Sequence, residues 1–473
     1  MISFIGGFVA LIVGYIFYAK FVEKVFGIDE NRPTPAITKA DGIDFVEMPT
    51  YKIFLIQLLN IAGLGPIFGA IAGALWGPAA FLWIVLGTIF AGGVHDYFSG
   101  MLSMKNGGES IPEVVGKYLG VGFKQFMRIF SVVVLVLVGV VFTKGPAGLL
   151  AAISPIPVQV WLYVIFAYFI IATIVPIDKV IGKIYPIFGI VLLIMAVGVA
   201  GGIILGGYNV PNIQFTNMDP SNRPIWPLLF ITIACGAISG FHSTQSPIMA
   251  RCVKSEKEGR FIFYGAMVAE GMIALIWAAA AMSFFGDTSG LADAMANNGG
   301  AAGIVKIVST SLLGRVGGIL AILGVIVCPI TSGDTAFRSA RLTIADMLHF
   351  EQKPVKNRYA ISLPLFLIGF ILTKINFDVI WRYFAWSNQT LAMIVLWASA
   401  MYLIKNNRNH LIASIPATFM TAVTTTYILV ASEGFHLSTA ISYPIGFICA
   451  ASALALFMYF GKKAKGTGDS LQN

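Results

Sequence analysis

The amino-acid sequence predicts an all-helical protein that crosses a membrane about thirteen times. Of its 473 residues, 57% are hydrophobic and only 11% are charged, and the mean hydropathy is +0.83. No soluble core needs so large a share of apolar residues. The apolar residues form continuous runs, whereas the strands of a membrane β-barrel alternate between apolar and polar residues. Two of the runs are interrupted by glycine and proline near the middle.

Thirteen apolar segments account for this prediction. The first, 1–22, has neither a basic start nor a small-residue cleavage motif, so we interpret it as a retained helix and not as a signal peptide. A polar cytoplasmic loop, 23–50, follows it. The other segments lie at 51–76, 78–104, 125–143, 158–176, 184–207, 226–249, 261–285, 311–337, 359–374, 379–404, 411–431 and 440–461.

Basic residues orient these segments, because cytoplasmic loops are enriched in Lys and Arg. With the N-terminus outside, 25 of the 31 Lys and Arg residues fall on one side of the membrane and six on the other. The six are Lys144, Arg223, Lys306, Arg315, Lys374 and Arg382. This asymmetry predicts a multi-pass protein with its N-terminus outside and its C-terminus inside.

The interrupted segments are the strongest pointer to function. Segment 51–76 contains Gly63, Gly65 and Pro66 at its centre, and segment 226–249 is interrupted from Gly236 onward. Backbone groups freed at that depth must bind protein, water or ligand, because hydrocarbon offers no hydrogen-bond partner. A pair of interrupted helices is typical of a transporter's binding site. The alternative is two kinked helices packed through small residues.

The predicted topology also contains an inverted repeat. Segment 51–76 enters from the cytoplasm, segment 226–249 enters from outside, and five segments separate their starts. Two five-helix units of opposite orientation result, at 51–207 and 208–404. One extra helix precedes them, and two extra helices with a short cytoplasmic tail follow within 405–473. This is the LeuT-type 5+5 inverted repeat.

Several longer motifs resemble those of one protein family. They occur in order along the chain, as NRPTPA at 31–36, AGLGP at 62–66, GGVHD at 92–96, ACGAISGFHSTQSP at 234–247, TSGDTAFRSAR at 331–341 and WRYFAWSNQTLA at 381–392. They are similar to motifs of the carbon starvation protein CstA family, and the chain resembles its shorter form. The resemblance implies a carrier of the bacterial cytoplasmic membrane that takes up peptides, or in some members pyruvate, during nutrient limitation.

The first interruption supplies candidate substrate-binding groups. Gln57 and Asn60 lie one helical turn apart just before it. A peptide or pyruvate carries a carboxylate, which suits backbone N–H groups exposed where a helix restarts. We therefore expect Asn60, Gly63 and Gly65 to contact substrate. The alternative role of Asn60 is a hydrogen bond to a neighbouring helix.

The second interruption carries a dense set of polar side chains at membrane depth. We expect Ser239, Gly240, His242 and Gln245 to line a wetted substrate cavity, in which the His242 imidazole can titrate near neutrality. A second interpretation stays open, in which Gly236 and Gly240 are only a packing pair and His242 is an interior histidine with satisfied hydrogen bonds.

Two clusters are candidates for ion coupling. His95 and Asp96 are adjacent in the third segment, and an imidazole beside a carboxylate can relay protons. The alternative for Asp96 is an ion pair with Arg338 or Arg341 at a helix end. Glu270, alone among alanines in the eighth segment, is a further candidate for a proton path.

The other cluster is Thr331, Ser332 and Asp334 in the ninth segment. In LeuT-type carriers this helix supplies hydroxyl ligands for a coupling cation, together with carbonyls of the first broken helix. Hard oxygen ligands suit Na⁺, whereas a buried carboxylate can carry a proton, and the sequence favours Asp334 as the proton carrier. The structural alternative is an ion pair between Asp334 and Arg338.

The sequence thus predicts a secondary active transporter that imports peptides by alternating access, coupled to H⁺ or Na⁺. The alternatives are a pyruvate–proton symporter and, outside this class, a membrane nutrient sensor, for which the short loops offer no output domain. We expect no cofactor, no metal and no nucleic-acid partner, and the oligomeric state is not predicted. No Walker, GxSxG or HExxH motif occurs, so we expect no enzyme.

Overall fold

The structure is a computed structural model that describes residues 1–42, 44–174, 177–214, 216–352 and 354–467, with the side chains of 177–184, 316 and 320 excepted. The end of the predicted cytoplasmic tail, 468–473, lies outside the described residues. Throughout the described part the regular structure is helical, with short π and 3₁₀ turns inside several helices.

Each of the thirteen predicted segments contains helix. The helices of eight or more residues are α1 Ile2–Phe26, α2 Thr50–Ile61, α3 Gly65–Trp76, α4 Ala79–Lys105, α5 Ile111–Leu119, α6 Val121–Ile153, α7 Val158–Ala172, α8 Ile177–Leu205, α9 Ile225–Thr232, α10 Gly240–Ala250, α11 Glu256–Phe284, α12 Thr288–Asn297, α13 Ala301–Leu348, α14 Val355–Leu372, α15 Phe377–Lys405, α16 Leu411–Val430 and α17 Thr439–Ala464.

Not every segment is long enough to cross a membrane as one straight helix. In the described part of the chain, ten helices pass this test, and α2 with α3 makes an eleventh if the bent pair is one span. Helix α7 has 15 residues, and α9 and α10 are shorter still. The total of thirteen spans and the unit boundaries at 51–207 and 208–404 therefore stay predictions.

Burial separates a central set of helices from a peripheral set. Helices α4, α11 and α15 and the Gly317–Leu348 part of α13 are mostly buried, whereas α1, α14 and α17 are mostly exposed. The exposed faces carry large apolar side chains such as Phe17, Leu367 and Phe447. Apolar side chains that face outward in this way are stable against hydrocarbon. The central helices therefore carry the polar groups, and the peripheral helices shield them from lipid.

Both predicted interruptions are present and lie against each other. Helices α2 and α3 are bent by 54° at the first break. Pro66 is tolerated there because it lies in the first turn of α3, where its missing N–H is not needed. A Cβ atom on Gly65 would come closer than 3.0 Å to the Cys235 side chain in the second break. We call α2 with α3 the first broken helix, and α9 with α10 the second.

Candidate functional site

The second broken helix leaves backbone carbonyls without helical partners, and side chains of α4 bind two of them. Trp83 Nε1 donates to the Ile233 carbonyl at 3.1 Å, and Thr88 Oγ1 donates to the Gly236 carbonyl at 2.9 Å. Gly236 has a φ of 87°, in the left-handed region that glycine adopts without steric cost. The protein thus supplies the hydrogen bonds that hydrocarbon cannot, and the break is fixed in one geometry.

Asn388 of α15 holds the restart of the second broken helix. Its Oδ1 accepts a hydrogen bond from the Phe241 amide at 2.5 Å, and its Nδ2 donates to Ser239 Oγ at 2.8 Å. A Cβ atom on Gly240 would come closer than 3.0 Å to the Asn388 carbonyl oxygen, so only glycine permits this approach. Sequence analysis missed Asn388, although a buried amide inside an apolar segment is a signal that indicates such a role.

Helix α13 binds the free carbonyls of the first broken helix. Ser332 Oγ donates to the Leu59 carbonyl at 3.1 Å, and Cys328 Sγ donates to the Ala62 carbonyl at 2.8 Å. The ion-site hypothesis places α13 hydroxyls beside carbonyls of α2, and the Ser332 hydroxyl lies there. Thr331 Oγ1 donates to the Cys328 carbonyl of its own helix at 2.7 Å.

Asp334 lies in a different environment. Its carboxylate is 3.4 Å from the Arg338 guanidinium one turn along α13, and Arg338 also donates to the Ala172 carbonyl at 3.1 Å. This ion pair is the structural alternative that the sequence left open. Asp334 as the proton carrier stays a prediction.

Four buried titratable side chains from three helices form what we call the His–Asp–Glu cluster: His95 and Asp96 of α4, His242 of α10 and Glu270 of α11. His95 Nδ1 is 2.7 Å from Asp96 Oδ1, and His242 Nδ1 is 2.8 Å from Asp96 Oδ2. His242 Nε2 is 3.4 Å from Glu270 Oε2. None of the four side chains is exposed. Asp96 thus joins two imidazoles, and His242 joins two carboxylates.

This geometry specifies where a proton can move. Both histidines present Nδ1 to Asp96, so each can donate a hydrogen bond to this carboxylate in the tautomer that carries its hydrogen on Nδ1. His242 Nε2 faces Glu270 Oε2 across 3.4 Å, where neither of these two atoms has a hydrogen-bond partner in the described part of the chain, so a proton can be placed on either one. With that proton Asp96, His242 and Glu270 together carry a net charge of −1, and a second proton makes them neutral. A buried cluster with one unmatched negative charge attracts a proton or another cation.

Three members of this neighbourhood are also donor types found in metal sites. Cys235 Sγ, a ring nitrogen of His242 and a carboxylate oxygen of Glu270 all lie within 4.8 Å of one another, the one such group identified among the described residues. The Cys235 thiol donates to Ser239 Oγ at 3.3 Å, so it is already part of a hydrogen-bonded chain. We interpret the arrangement as a hydrogen-bonded cluster.

Several buried amides close to the breaks have polar atoms without a partner in the described part of the chain. Neither side-chain polar atom of Asn60 has one, although the residue is 1% exposed. Gln57 Nε2 donates to Ser246 Oγ at 3.2 Å, but its Oε1 is unpartnered, as is Gln245 Oε1. Buried polar groups in native proteins are almost always hydrogen-bonded, so these atoms call for water or a ligand.

Sequence comparison decides the family. A sequence model described as "Carbon starvation protein CstA" matches residues 1–204, 148–288 and 284–427, which together cover most of the chain. The chain belongs to the carbon starvation protein CstA family. This agrees with the resemblance noted in the sequence motifs.

Curated relatives within the CstA family include transporters. A protein named "Uncharacterized membrane protein" from Haemophilus influenzae is 45% identical over 60% of this chain and 91% of its own. "Peptide transporter CstA" of Bacillus subtilis is 24% identical over 84% of each chain. "Pyruvate/proton symporter BtsT" of Escherichia coli is 24% identical, and the match covers 56% of this chain and 46% of BtsT, so it spans about half of that relative. This chain is therefore a multi-pass membrane protein of the CstA family, and several curated members of that family are named as transporters.

Solved structures show the fold of this CstA-family chain. A variant of the Eremococcus coleocola manganese transporter matches with a TM-score of 0.60 at 11% identity, covering 90% of this chain and 99% of that chain. MhsT in complex with L-phenylalanine matches with a TM-score of 0.55 at 14% identity, covering 88% and 99%. At these identities the likeness concerns the fold alone, which is the LeuT-type fold predicted from the interrupted helices.

Glycines of the AGLGP stretch in this CstA-family chain serve close packing. A Cβ atom on Gly63 would come closer than 3.0 Å to the Phe142 ring of α6, and one on Gly65 would collide with Cys235. Both residues are buried. The small size of Gly65 thus permits the contact between the two broken helices, and that of Gly63 permits the approach of α6.

A cavity lies beside α3 of the first broken helix. Its volume is about 600 Å³, and its walls come from α3, α6, α15 and the segment between α12 and α13. Phe68 and Trp381 line it with their rings, and Lys144 and Asp378 contribute one charge of each sign. In the predicted orientation this cavity is on the outer side of the CstA-family chain, next to the break. We call it the outer vestibule.

Proposed function

We propose that the chain is a secondary active transporter of the bacterial cytoplasmic membrane that imports small peptides in symport with protons. The two broken helices meet where Gln57 binds Ser246, and polar atoms of Asn60, Gln57 and Gln245 have no partner there among the described residues. His242 of the second broken helix belongs to the buried His–Asp–Glu cluster. That juxtaposition is the observation that carries the proposal. The names of the relatives support a transporter of peptides or pyruvate, and the basic residues support an outside N-terminus.

Substrate in this proposal binds at the two breaks. Asn60, Gly63 and Gly65 come from the first, and Ser239, Gly240, His242 and Gln245 come from the second. Both polar atoms of the Asn60 amide and Gln245 Oε1 have no partner among the described residues, which suits a peptide, whose amide and carboxylate groups offer both donors and acceptors. The outer vestibule, with Lys144 and Asp378, is the access route that fits a ligand bearing both charges.

Proton coupling in this proposal belongs to the His–Asp–Glu cluster. His95 and Asp96 already stood among the candidates from the sequence, and Asp96 connects them to His242 and through it to Glu270. Because Asp334 pairs with Arg338, we assign the carried proton to His242 and Glu270 and give Asp334 a structural role. Thr331 and Ser332 remain the candidates for Na⁺ coupling, since Ser332 touches a free carbonyl of α2.

The proposal is tested with purified protein in liposomes. Labelled dipeptide and labelled pyruvate are offered separately, each under an inward pH gradient and under an inward Na⁺ gradient. We expect the dipeptide to accumulate under the pH gradient alone. Accumulation of pyruvate but not of dipeptide would select the pyruvate–proton symporter, as in the name of BtsT. Binding of ligand without any uptake would select the sensor and refute transport.

Asn60 gives a second test, because its amide has no partner to lose among the residues that the structure describes. Asn60→Ala should weaken dipeptide binding about tenfold, as expected when one or two hydrogen bonds to a ligand are removed. The thermal stability of the ligand-free protein should stay unchanged or rise. A drop in stability with unchanged affinity would show instead that Asn60 bonds a neighbouring helix.

A further inference from the structure

An apolar groove lies among α5, α15, α16 and α17, away from the broken helices. Its volume is about 820 Å³, and Met393, Trp397 and Met401 of α15 line one wall. Leu456 and Phe460 of α17 line the other, and both are more than half exposed, so the groove opens to the surroundings of the protein. In a membrane protein those surroundings are lipid.

Three lysines lie together at one end of the groove. They are Lys117, Lys405 and Lys463, and no carboxylate is among the lining residues in the described part of the chain. Lys405 Nζ donates to the Lys117 carbonyl at 3.3 Å, which brings α5 and α15 together. A Cβ atom on Gly461 would come closer than 3.0 Å to Ile404, which places the end of α17 beside the end of α15.

The ammonium groups of these lysines have N–H donors beyond those used in their protein contacts. Lys463 donates to Tyr459 Oη at 2.6 Å, and Lys117 pairs with Glu109 at 2.9 Å. Each ammonium has three N–H donors, so each contact leaves others available. Within the residues that the structure describes, neither Lys405 nor Lys463 has a carboxylate partner in an ion pair. Among the described residues, no carboxylate therefore neutralises the positive charges of Lys405 and Lys463 at this end of the groove.

The length of the groove fits one layer of lipid. Met393 and Lys405 are twelve residues apart on one helix, which corresponds to about 18 Å at a rise of 1.5 Å per residue. Half of the hydrocarbon core of a bilayer is about 15 Å thick. A groove with cations at its end and an apolar wall of about that length has the dimensions of a phospholipid headgroup with one acyl chain.

We propose that this groove binds one anionic glycerophospholipid of the leaflet on the lysine side. The lipid phosphate lies between Lys405 and Lys463, with Lys117 at the rim. One acyl chain lies along Met393, Trp397 and Met401. The charge of the lysines selects the anionic headgroup, and the apolar wall distinguishes a lipid from free phosphate. This site is independent of the proposed transport function.

Native mass spectrometry of the full chain, released from detergent, tests the proposal. The protein is equilibrated with equal amounts of phosphatidylglycerol and phosphatidylcholine that carry the same acyl chains. We expect phosphatidylglycerol to be retained in preference. Because a lysine near an anionic lipid contributes roughly fivefold in binding, Lys405→Ala with Lys463→Ala should lower the preference by about 25-fold. Lys405→Arg with Lys463→Arg should keep it, since the charges remain.

Lys462 supplies the matched control. It is adjacent to Lys463 and exposed, but it does not line the groove, so Lys462→Ala should leave the preference unchanged. Equal retention of both lipids by the wild-type protein would overturn the proposal, as would an equal loss with Lys462→Ala. Displacement of the lipid by millimolar inorganic phosphate would show an anion site without acyl-chain recognition and would also overturn it. A dimer that excludes lipid would overturn it as well and assign the groove to a second copy of the chain.

Discussion

Replacing Glu270 by glutamine should separate proton coupling from substrate movement. Glutamine has nearly the shape of glutamate, and its amide can still contact His242 Nε2, which is 3.4 Å from Glu270 Oε2 in the native protein. We therefore expect a loss of folding free energy of no more than about 1–3 kcal/mol, as for one altered buried hydrogen bond. What glutamine cannot do is take the proton that we propose His242 and Glu270 carry.

The size of the transport effect follows from the stoichiometry. If one proton moves with each uncharged substrate, a gradient of one pH unit supports about tenfold accumulation, because about 1.4 kcal/mol corresponds to a factor of ten. Without a coupled proton, the ratio of the substrate concentration inside to that outside should fall to one, the value at simple equilibration. Exchange of labelled for unlabelled substrate should continue, since exchange needs only the loaded carrier to reorient.

Proteoliposomes allow both quantities to be measured on one preparation. Net uptake is followed under an inward pH gradient, and exchange is followed at equal pH with unlabelled substrate inside. Asp334→Asn is the matched control, because Asp334 is also a buried carboxylate but pairs with Arg338. We expect the folded fraction of the Asp334→Asn variant to keep pH-driven accumulation. Full accumulation by Glu270→Gln, with loss only in Asp334→Asn, would refute the cluster and restore Asp334 as the proton carrier.

The remaining predictions concern topology and stability. Single cysteines placed in 286–300 should react with an impermeant reagent from outside, and those in 345–356 should not. Asn388→Ala should lower the free energy of unfolding by about 1–3 kcal/mol, because the Phe241 amide and Ser239 hydroxyl lose their partner. Glu113→Gln should lower thermal stability at pH 7, and the difference should shrink as pH falls below the ordinary glutamate pKa of about 4.3.

The sign for Glu113 follows from its contacts. Burial by itself raises the pKa of this carboxyl group, but hydrogen bonds from Lys124 and Arg128 outweigh it and hold the pKa below its ordinary value. A carboxyl group whose pKa is lowered by folding stabilises the folded state at pH values above its unfolded-state pKa. That stabilisation disappears as the pH falls through the folded-state pKa. A difference between wild type and Glu113→Gln that persists undiminished at about pH 3 would contradict this.

Two other outcomes would count against these expectations. Labelling of 345–356 but not of 286–300 would invert the membrane orientation and with it the positions assigned to the outer vestibule. An Asn388→Ala protein as stable as wild type would show that solvent can replace the side chain at the break. It would also weaken the contrast with Asn60→Ala, which is expected to reduce affinity and leave stability intact.

Local features of the sequence predicted the fold well. Gly63, Gly65 and Pro66 act within a few residues of where they stand, so their pattern alone indicated the break between α2 and α3. The predicted topology carried this further, to the LeuT-type fold, and the family motifs indicated a carrier. The number of membrane spans was harder to predict, because spans are counted from helix length. Helices α7, α9 and α10 are too short for that count.

The candidate site is formed by contacts between residues that are far apart in sequence, and no local sequence pattern indicates such contacts. His95 and Asp96 were identified as a possible relay because they are adjacent, but Asp96 and His242 are 146 residues apart in sequence. The sequence offered Arg338 as a partner for Asp96, and the structure pairs Arg338 with Asp334 instead. Charge alone cannot distinguish these pairings, because each satisfies one carboxylate. Only the packing of α4 against α10 does so.

The positions of the cluster residues connect proton binding to helix movement. His242 is in the first turn of α10, directly after the break, whereas Asp96 and Glu270 belong to the long buried helices α4 and α11. A movement of α10 about its break would change the distances from His242 to both carboxylates at once. Binding free energies are reciprocal, so a proton that favours one arrangement must bind more tightly in it. Glu270→Gln removes that dependence while Asn388 still fixes the restart of α10, which is why exchange should outlast accumulation.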